Sequence, residues 1–139
     1  MGYTHYFTQK RFLSEDEWSA FTSAALAIFG AYGDRLSRDG EDQELGPLVG
    51  SESVMFNGMP GEECEPFEVL RDKTGFQFCK TRELPYDVPV TACLAALSAI
   101  APGAFAIGTD GNGADWKPGL DLARKACPTL AIRFPVTRT

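Results

Sequence analysis

The stretch from Ser14 to Gly33 limits what this chain can fold into more than any other. Ser14-Glu15-Asp16-Glu17 is a capping box. The Ser14 hydroxyl can accept from the backbone N–H three residues on, and the Glu17 carboxylate can reach back to the N–H of Ser14. Three carboxylates in the first turn suit the positive end of a helix. Trp18, Phe21, Ala25, Ile28 and Tyr32 then recur at helical spacing, and Gly33 offers a stop. A helix with so aromatic a stripe must bury that stripe against other elements.

Those elements are mostly short strands. Tyr3 to Thr8 is rich in aromatic and β-branched residues, and alternation predicts Tyr3, His5 and Phe7 on one face with Thr4, Tyr6 and Thr8 on the other. Asp34 to Gly50 reads as a long acidic loop with a short strand at Leu45 to Val49. Val54 to Phe56 reads as a strand ending at Asn57-Gly58, and Met59 to Glu65 as a polar connector. Phe67 to Leu70 and Phe76 to Lys80 are expected to form a hairpin across Asp72-Lys73-Thr74-Gly75. Asp87 is placed to cap a second helix, with Pro89 tolerated in its first turn and Val90, Cys93, Leu94, Leu97 and Ile100 on its core side. Phe105 to Ile107 predicts a buried strand, Asp115 to Ala126 a third helix, and Leu130 to Phe134 a last strand. Runs of strands between helices predict an α+β fold, with residues 1–139 in a single domain: a mostly antiparallel sheet with about three packed helices.

Composition excludes several functions. The chain has 139 residues, 44% of them apolar and 23% charged, too apolar for disorder. No apolar run approaches the roughly 20 residues that cross a bilayer, and the N-terminus lacks the pattern of a secretion signal, so a cytoplasmic protein that does not bind membranes is expected. The net charge of −6 is uneven, −9 over residues 1–68 and +3 over residues 69–139. No basic stripe supports general nucleic-acid binding, although the second half could hold a small anion. None of Cys64, Cys79, Cys93 and Cys127 forms a C-x-x-C pair, and His5 is the one histidine, so a zinc site would need an unusual ligand set. No phosphate-loop, nucleophile-elbow or H-E-x-x-H motif occurs, and the sequence calls for no cofactor.

Three places remain where chemistry could sit. His5, in a strand, reads either as a hydrogen-bonded core-edge residue or as a ligand donor or general base, the second needing a carboxylate from Asp87 or Asp110. Gly108-Thr109-Asp110-Gly111-Asn112-Gly113 reads as a strand-to-helix turn, as a loop that contacts a ligand, or as a calcium loop using Asp110, Asn112 and Asp121. In the calcium reading Ala114 would replace a ligand, and Asp115 would stand where the turn glycine belongs. Phe76, Phe78 and Lys80 share a strand face: either the rings are core and the lysine reaches out to water, or they stack on and pair with a planar anion. Thr81 and Arg82 add donors beside them.

Met1-Gly2-Tyr3-Thr4-His5-Tyr6, Phe78-Cys79-Lys80-Thr81, Pro85-Tyr86-Asp87, and Asp110-Gly111 with Trp116 resemble a family of small uncharacterised proteins from bacteria and their phages that open with the same signature. The resemblance implies a bacterial or phage origin and an accessory or counter-defence role. Its segments are rich in hydrogen-bonding groups, so Tyr3, His5, Lys80, Thr81, Arg82, Tyr86, Asp110 and Trp116 are expected to line one cleft. The leading expectation is a non-enzymatic protein that binds a small polar or anionic ligand, a nucleotide-like one among the candidates, and sequesters a host signal. Lys80 and Arg82 would hold charge, Tyr86 and Trp116 would stack, and His5, Thr81 and Asp110 would fix polar groups. One alternative is a metal-independent hydrolase or transferase with His5 as acid/base beside Asp87 or Asp110. Another is an acidic inhibitor of a host protein acting through Glu41 to Glu68. Self-association into a homo-oligomer is compatible with so small a scaffold.

Overall fold

All three expected helices form, and the strands sort into two sheets rather than one. The computed structural model describes residues 2–33 and 35–136; Met1, and Asp34 at the head of the acidic loop, lie outside the described residues. In chain order the elements are β1 (Thr4–Gln9), α1 (Glu15–Tyr32), β2 (Leu48–Val49), β3 (Ser53–Phe56), β4 (Phe67–Leu70), β5 (Gly75–Lys80), α2 (Asp87–Ile100), β6 (Phe105–Thr109) and α3 (Gly113–Ala126). The fold is α+β. One antiparallel sheet has the order β5-β1-β6 and the other β2-β3-β4.

The local signals of α1 act as read. Ser14 Oγ accepts from Glu17 N at 3.1 Å, Glu17 Oε1 accepts from Ser14 N at 2.9 Å, and Gly33 closes the helix at φ 81°. Arg11 grips the same carboxylate through both terminal nitrogens, at 2.8 and 2.9 Å. Bonding to Arg11, then to the Ser14 backbone, holds the Glu17 carboxyl down to about 2. The stripe buries Trp18, Phe21, Ala25 and Ile28. α2 is enclosed more fully, with every residue from Pro89 to Leu97 buried, as its alanine content allows. α3 can lie close to α2 because Gly119 has no side chain; a Cβ there would run into Thr91 Oγ1.

The expected hairpin does not form. β4 pairs with β3, while β5 pairs with β1 in the other sheet. β4 turns Phe67 and Val69 inward beside the inward-facing Val54 and Phe56 of β3, so the buried faces match there. Gly75, at φ 120°, then lets the chain change direction into the second sheet. The two sheets share one core through a run of rings: Phe7 to Phe67 at 5.5 Å, Phe67 to Phe56 at 5.4 Å, and Phe56 to Phe29 of α1 at 5.0 Å.

Leu130 to Phe134 does not form the expected last strand. The segment is held by side chains instead: Ile132 is buried, Phe134 meets Trp116 edge-on at 5.3 Å, and Arg124 donates to the Ile132 carbonyl at 3.2 Å. The acidic loop is built around two buried polar residues. Asn57 bonds to the backbone of Asp39, Gly58 and Cys64, and Ser37 bonds to the backbone of Gly40 and Gly58. No helix among the described residues is long and apolar enough to cross a membrane.

Candidate functional site

β1 is the middle strand of its sheet, so the chemistry of the molecule divides between its two faces. On the inner face, His5 is fully buried. Its Nε2 lies 2.6 Å from Asp87 Oδ1 and its Nδ1 lies 2.9 Å from Thr109 Oγ1. Thr109 Oγ1 also accepts N–H groups from Trp116 Nε1 and from Gly111, each at 3.1 Å. A hydroxyl has two acceptor positions and one proton. Asp87 is an acceptor, so the imidazole hydrogen sits on Nε2 and points at it, while the one Thr109 hydroxyl lies among His5 Nδ1, the Trp116 and Gly111 N–H groups and the Tyr3 phenol. Thr81 donates to the same Asp87 oxygen at 2.6 Å and accepts from the Glu83 N–H at 3.3 Å. Tyr3 and Trp116 close the ring edges of His5, each 5.2 Å away and near perpendicular. Burial, then the charges of Asp87, Asp115 and Glu83, push the Tyr3 phenol well above its usual range.

Asp87 therefore does not cap α2. The cap position belongs to Tyr86 and carries no side-chain bond, because the carboxylate beside it is spent on His5 and Thr81. The turn before the helix is tightly held. Arg82 and Glu83 are consecutive non-glycine residues at φ 56° and 57°, a conformation that costs about 1–2 kcal/mol per residue. The Tyr3 carbonyl accepts from both Thr81 and Arg82 N–H, at 3.0 and 3.2 Å, and pins that turn to β1.

The outer face is different. Its rows, read across the sheet, are Lys80–Thr4, Phe78–Tyr6–Gly108 and Phe76–Thr8–Ala106. The phenylalanines are not core: Phe76 is 62% exposed and Phe78 55%. Tyr6 stacks on Phe76 at 6.2 Å and 21°, and Phe76 and Phe78 lie 6.0 Å apart. Gly108 leaves the space beside Tyr6 unfilled on the third strand. Lys80 stands at one end of this surface, its ammonium without a carboxylate partner among the described residues. Asp110 stands at the same end, accepting from the Thr4 N–H and the Tyr6 hydroxyl, both at 3.0 Å; the latter bond raises the Tyr6 pKa.

The expected site residues thus split. Tyr3, His5, Thr81 and Trp116 meet inside, with Asp87 as the carboxylate His5 requires. Lys80 and Asp110 lie on the opposite face, and Arg82 is exposed on the turn between them and α2. Tyr86 is buried and joins neither set of side chains, its hydroxyl bonding to the backbone carbonyls of Glu65 at 2.6 Å and Lys80 at 3.2 Å. Buried rings cannot stack on a ligand, so Tyr86 and Trp116 cannot play the stacking part expected of them; Tyr6, Phe76 and Phe78 are placed to do so. An acid/base must reach a substrate proton directly or through one water. The His5–Asp87 pair has the geometry of such a dyad, but both imidazole nitrogens are occupied and the ring has no exposed surface.

The glycine loop serves as a strand-to-helix turn. Asn112 caps α3 in a second capping box with Asp115, and Asp121 pairs with Lys117 at 2.7 Å, so the oxygens of a calcium loop are committed elsewhere. Among the described residues no group of three or more His, Cys, Asp or Glu side chains could hold a metal ion. Burial holds the Cys79 and Cys93 thiols above their ordinary range, which leaves them unreactive. Thr109 was not legible as a site residue. The α2 cap position and the alternation of β1 were the available signals for Asp87 and His5, whereas Thr109 gains its role from three segments meeting.

Fold and site together define an α+β domain with a polar network locked inside one sheet face and aromatic rings open on the other. No family model matches the chain, and neither the curated proteins nor the solved structures contain a match to it.

Proposed function

We propose that the chain is a non-enzymatic binding protein that holds a small planar, anionic ligand of the nucleotide kind against the outer face of its first sheet. The observation that carries this reading is the pair Phe76 and Phe78, more than half exposed, side by side, with Tyr6 beside them and Lys80 at the end of the row. Large exposed rings on a sheet face are unfavourable in water unless something covers them. A planar ring stacks on such a surface regardless of its exact identity, with about 1–3 kcal/mol per base. The ammonium of Lys80 then meets the anionic group, and Arg82 extends the positive charge beyond the strand end. In the phage setting implied by the opening signature, such a protein would sequester a host signal.

Calorimetric titration with nucleoside mono- and triphosphates tests the reading. Phe76→Ser with Phe78→Ser should weaken binding by about 10- to 100-fold, the equivalent of one stacked base. Lys80→Ala should weaken phosphorylated ligands more than the free nucleoside. Recovering the ligand unchanged after denaturation supports binding without turnover, and a modified product supports the hydrolase or transferase alternative. Affinity unmoved by the double substitution would remove the proposal.

A further inference from the structure

We infer that β5 is a self-pairing edge, through which two copies of this chain join antiparallel about Gln77 into one six-stranded sheet. The inference stands on backbone groups and is independent of the ligand reading. β5 has β1 on one side only. Lys80 turns its N–H and C=O away from β1, toward Glu65 Oε1 at 2.8 Å and Glu65 N at 3.1 Å, whereas Thr81 N–H points back to Tyr3. Backbone groups alternate direction along a strand, so Phe78 and Phe76 also point their N–H and C=O outward, where they meet no partner among the described residues.

Natural edges are protected by charge, proline, a bulge or a cover. Gly75-Phe76-Gln77-Phe78-Cys79 has no charge and no proline, and its pairing with β1 runs without a bulge from Gly75 to Lys80. A twofold axis at Gln77 sets Phe76 of each copy opposite Phe78 of the other. All four free pairs of backbone groups are then used, and the rings face each other across the seam as favourable cross-strand aromatic pairs. The seam also has natural ends. Glu65 closes the edge at Lys80, and the kink at Gly75, φ 120°, takes the second copy's chain off the strand line where it would meet Glu65. Two strands and four rings make a small contact beside the ~800 Å² per partner of a standard interface, so the dimer forms and dissociates with concentration.

Sedimentation velocity over a dilution series, without nucleotide, tests this directly. The expected result is a mass that moves from one chain to two as concentration rises, with the Phe76 and Phe78 amides exchanging slowly only in the dimer. Phe78→Pro removes an outward N–H and leaves the bonds to β1, so it should stay a single chain with an unchanged circular dichroism spectrum. If that variant fails to fold, Phe76→Lys with Phe78→Lys gathers four like charges at the seam and should likewise stay single. Tyr6→Ser takes a ring from the face and nothing from the edge; it should dimerise normally even as it weakens any nucleotide binding. A native chain that stays single at every concentration, or a folded Phe78→Pro protein that dimerises like the native one, overturns the inference.

Discussion

At the scale of single residues, the bonds that converge on Asp87 and on Thr109 identify which substitutions hurt. Asp87→Ala leaves the Nε2–H of His5 and the hydroxyl of Thr81 buried without acceptors. Each such orphan costs about 1–3 kcal/mol, so a loss of about 2–6 kcal/mol is expected in urea unfolding, with the denaturant slope unchanged. Thr109→Val should behave similarly, because the Trp116 indole and Gly111 N–H lose their acceptor together. Glu17 makes acid stability depend on α1. Its folded pKa of about 2 lies under the ordinary 4.5, so its contribution is complete above the unfolded value and is lost as pH falls through about 2. Thermal melts should therefore decline across that window, and Glu17→Gln should flatten this part of the decline. What could be read at this scale was the identity of His5 and its need for a carboxylate. That Asp87 would serve the imidazole rather than cap α2 was not readable, because both uses need the same residue at the same helix start. The competition is decided by β1 arriving from 82 residues away.

At the scale of elements, the signals that are local survived and those that need a partner did not. The capping box, apolar stripe and terminal glycine of α1 act within one segment, and the alternation of β1 acts within one strand; both appear in the structure as read. β4 and β5 each have the composition and length of a strand, yet proximity in sequence wrongly suggested that they pair. Pairing was set by which buried faces match, and that is a property of four segments at once. The contact between α2 and α3 yields a sharper forecast. Gly119→Ala puts a methyl into Thr91 of the facing helix. Although alanine favours helices, the overpacking should cost about 1–3 kcal/mol, and Thr91→Ala in the same chain should recover only the part due to the hydroxyl, because the Thr91 Cβ and the Val88 carbonyl also crowd that position, at 2.8 and 3.0 Å. Additive losses in that double-mutant cycle would contradict the close approach.

At the scale of the whole molecule, β1 divides two kinds of chemistry. The face toward the helices carries a buried polar network that ties β1, the Thr81–Glu83 turn, α2 and α3 together; the face toward solvent carries rings and a lysine that nothing in the fold requires to be exposed. Groups expected to share one cleft fell on both sides because neighbouring residues of a strand point in opposite directions: His5 opposes Cys79, whereas Lys80 opposes Thr4. The alternation was legible in β1, but nothing local to β5 could say that its outer face would stay uncovered. The most direct test of this division is an amide and indole shift map recorded while a nucleoside triphosphate is titrated into the protein. The account predicts changes concentrated at Tyr6, Phe76, Phe78 and Lys80, with the Trp116 indole and His5 signals still. Changes centred on His5 and Trp116, or none at the four outer positions, would contradict it.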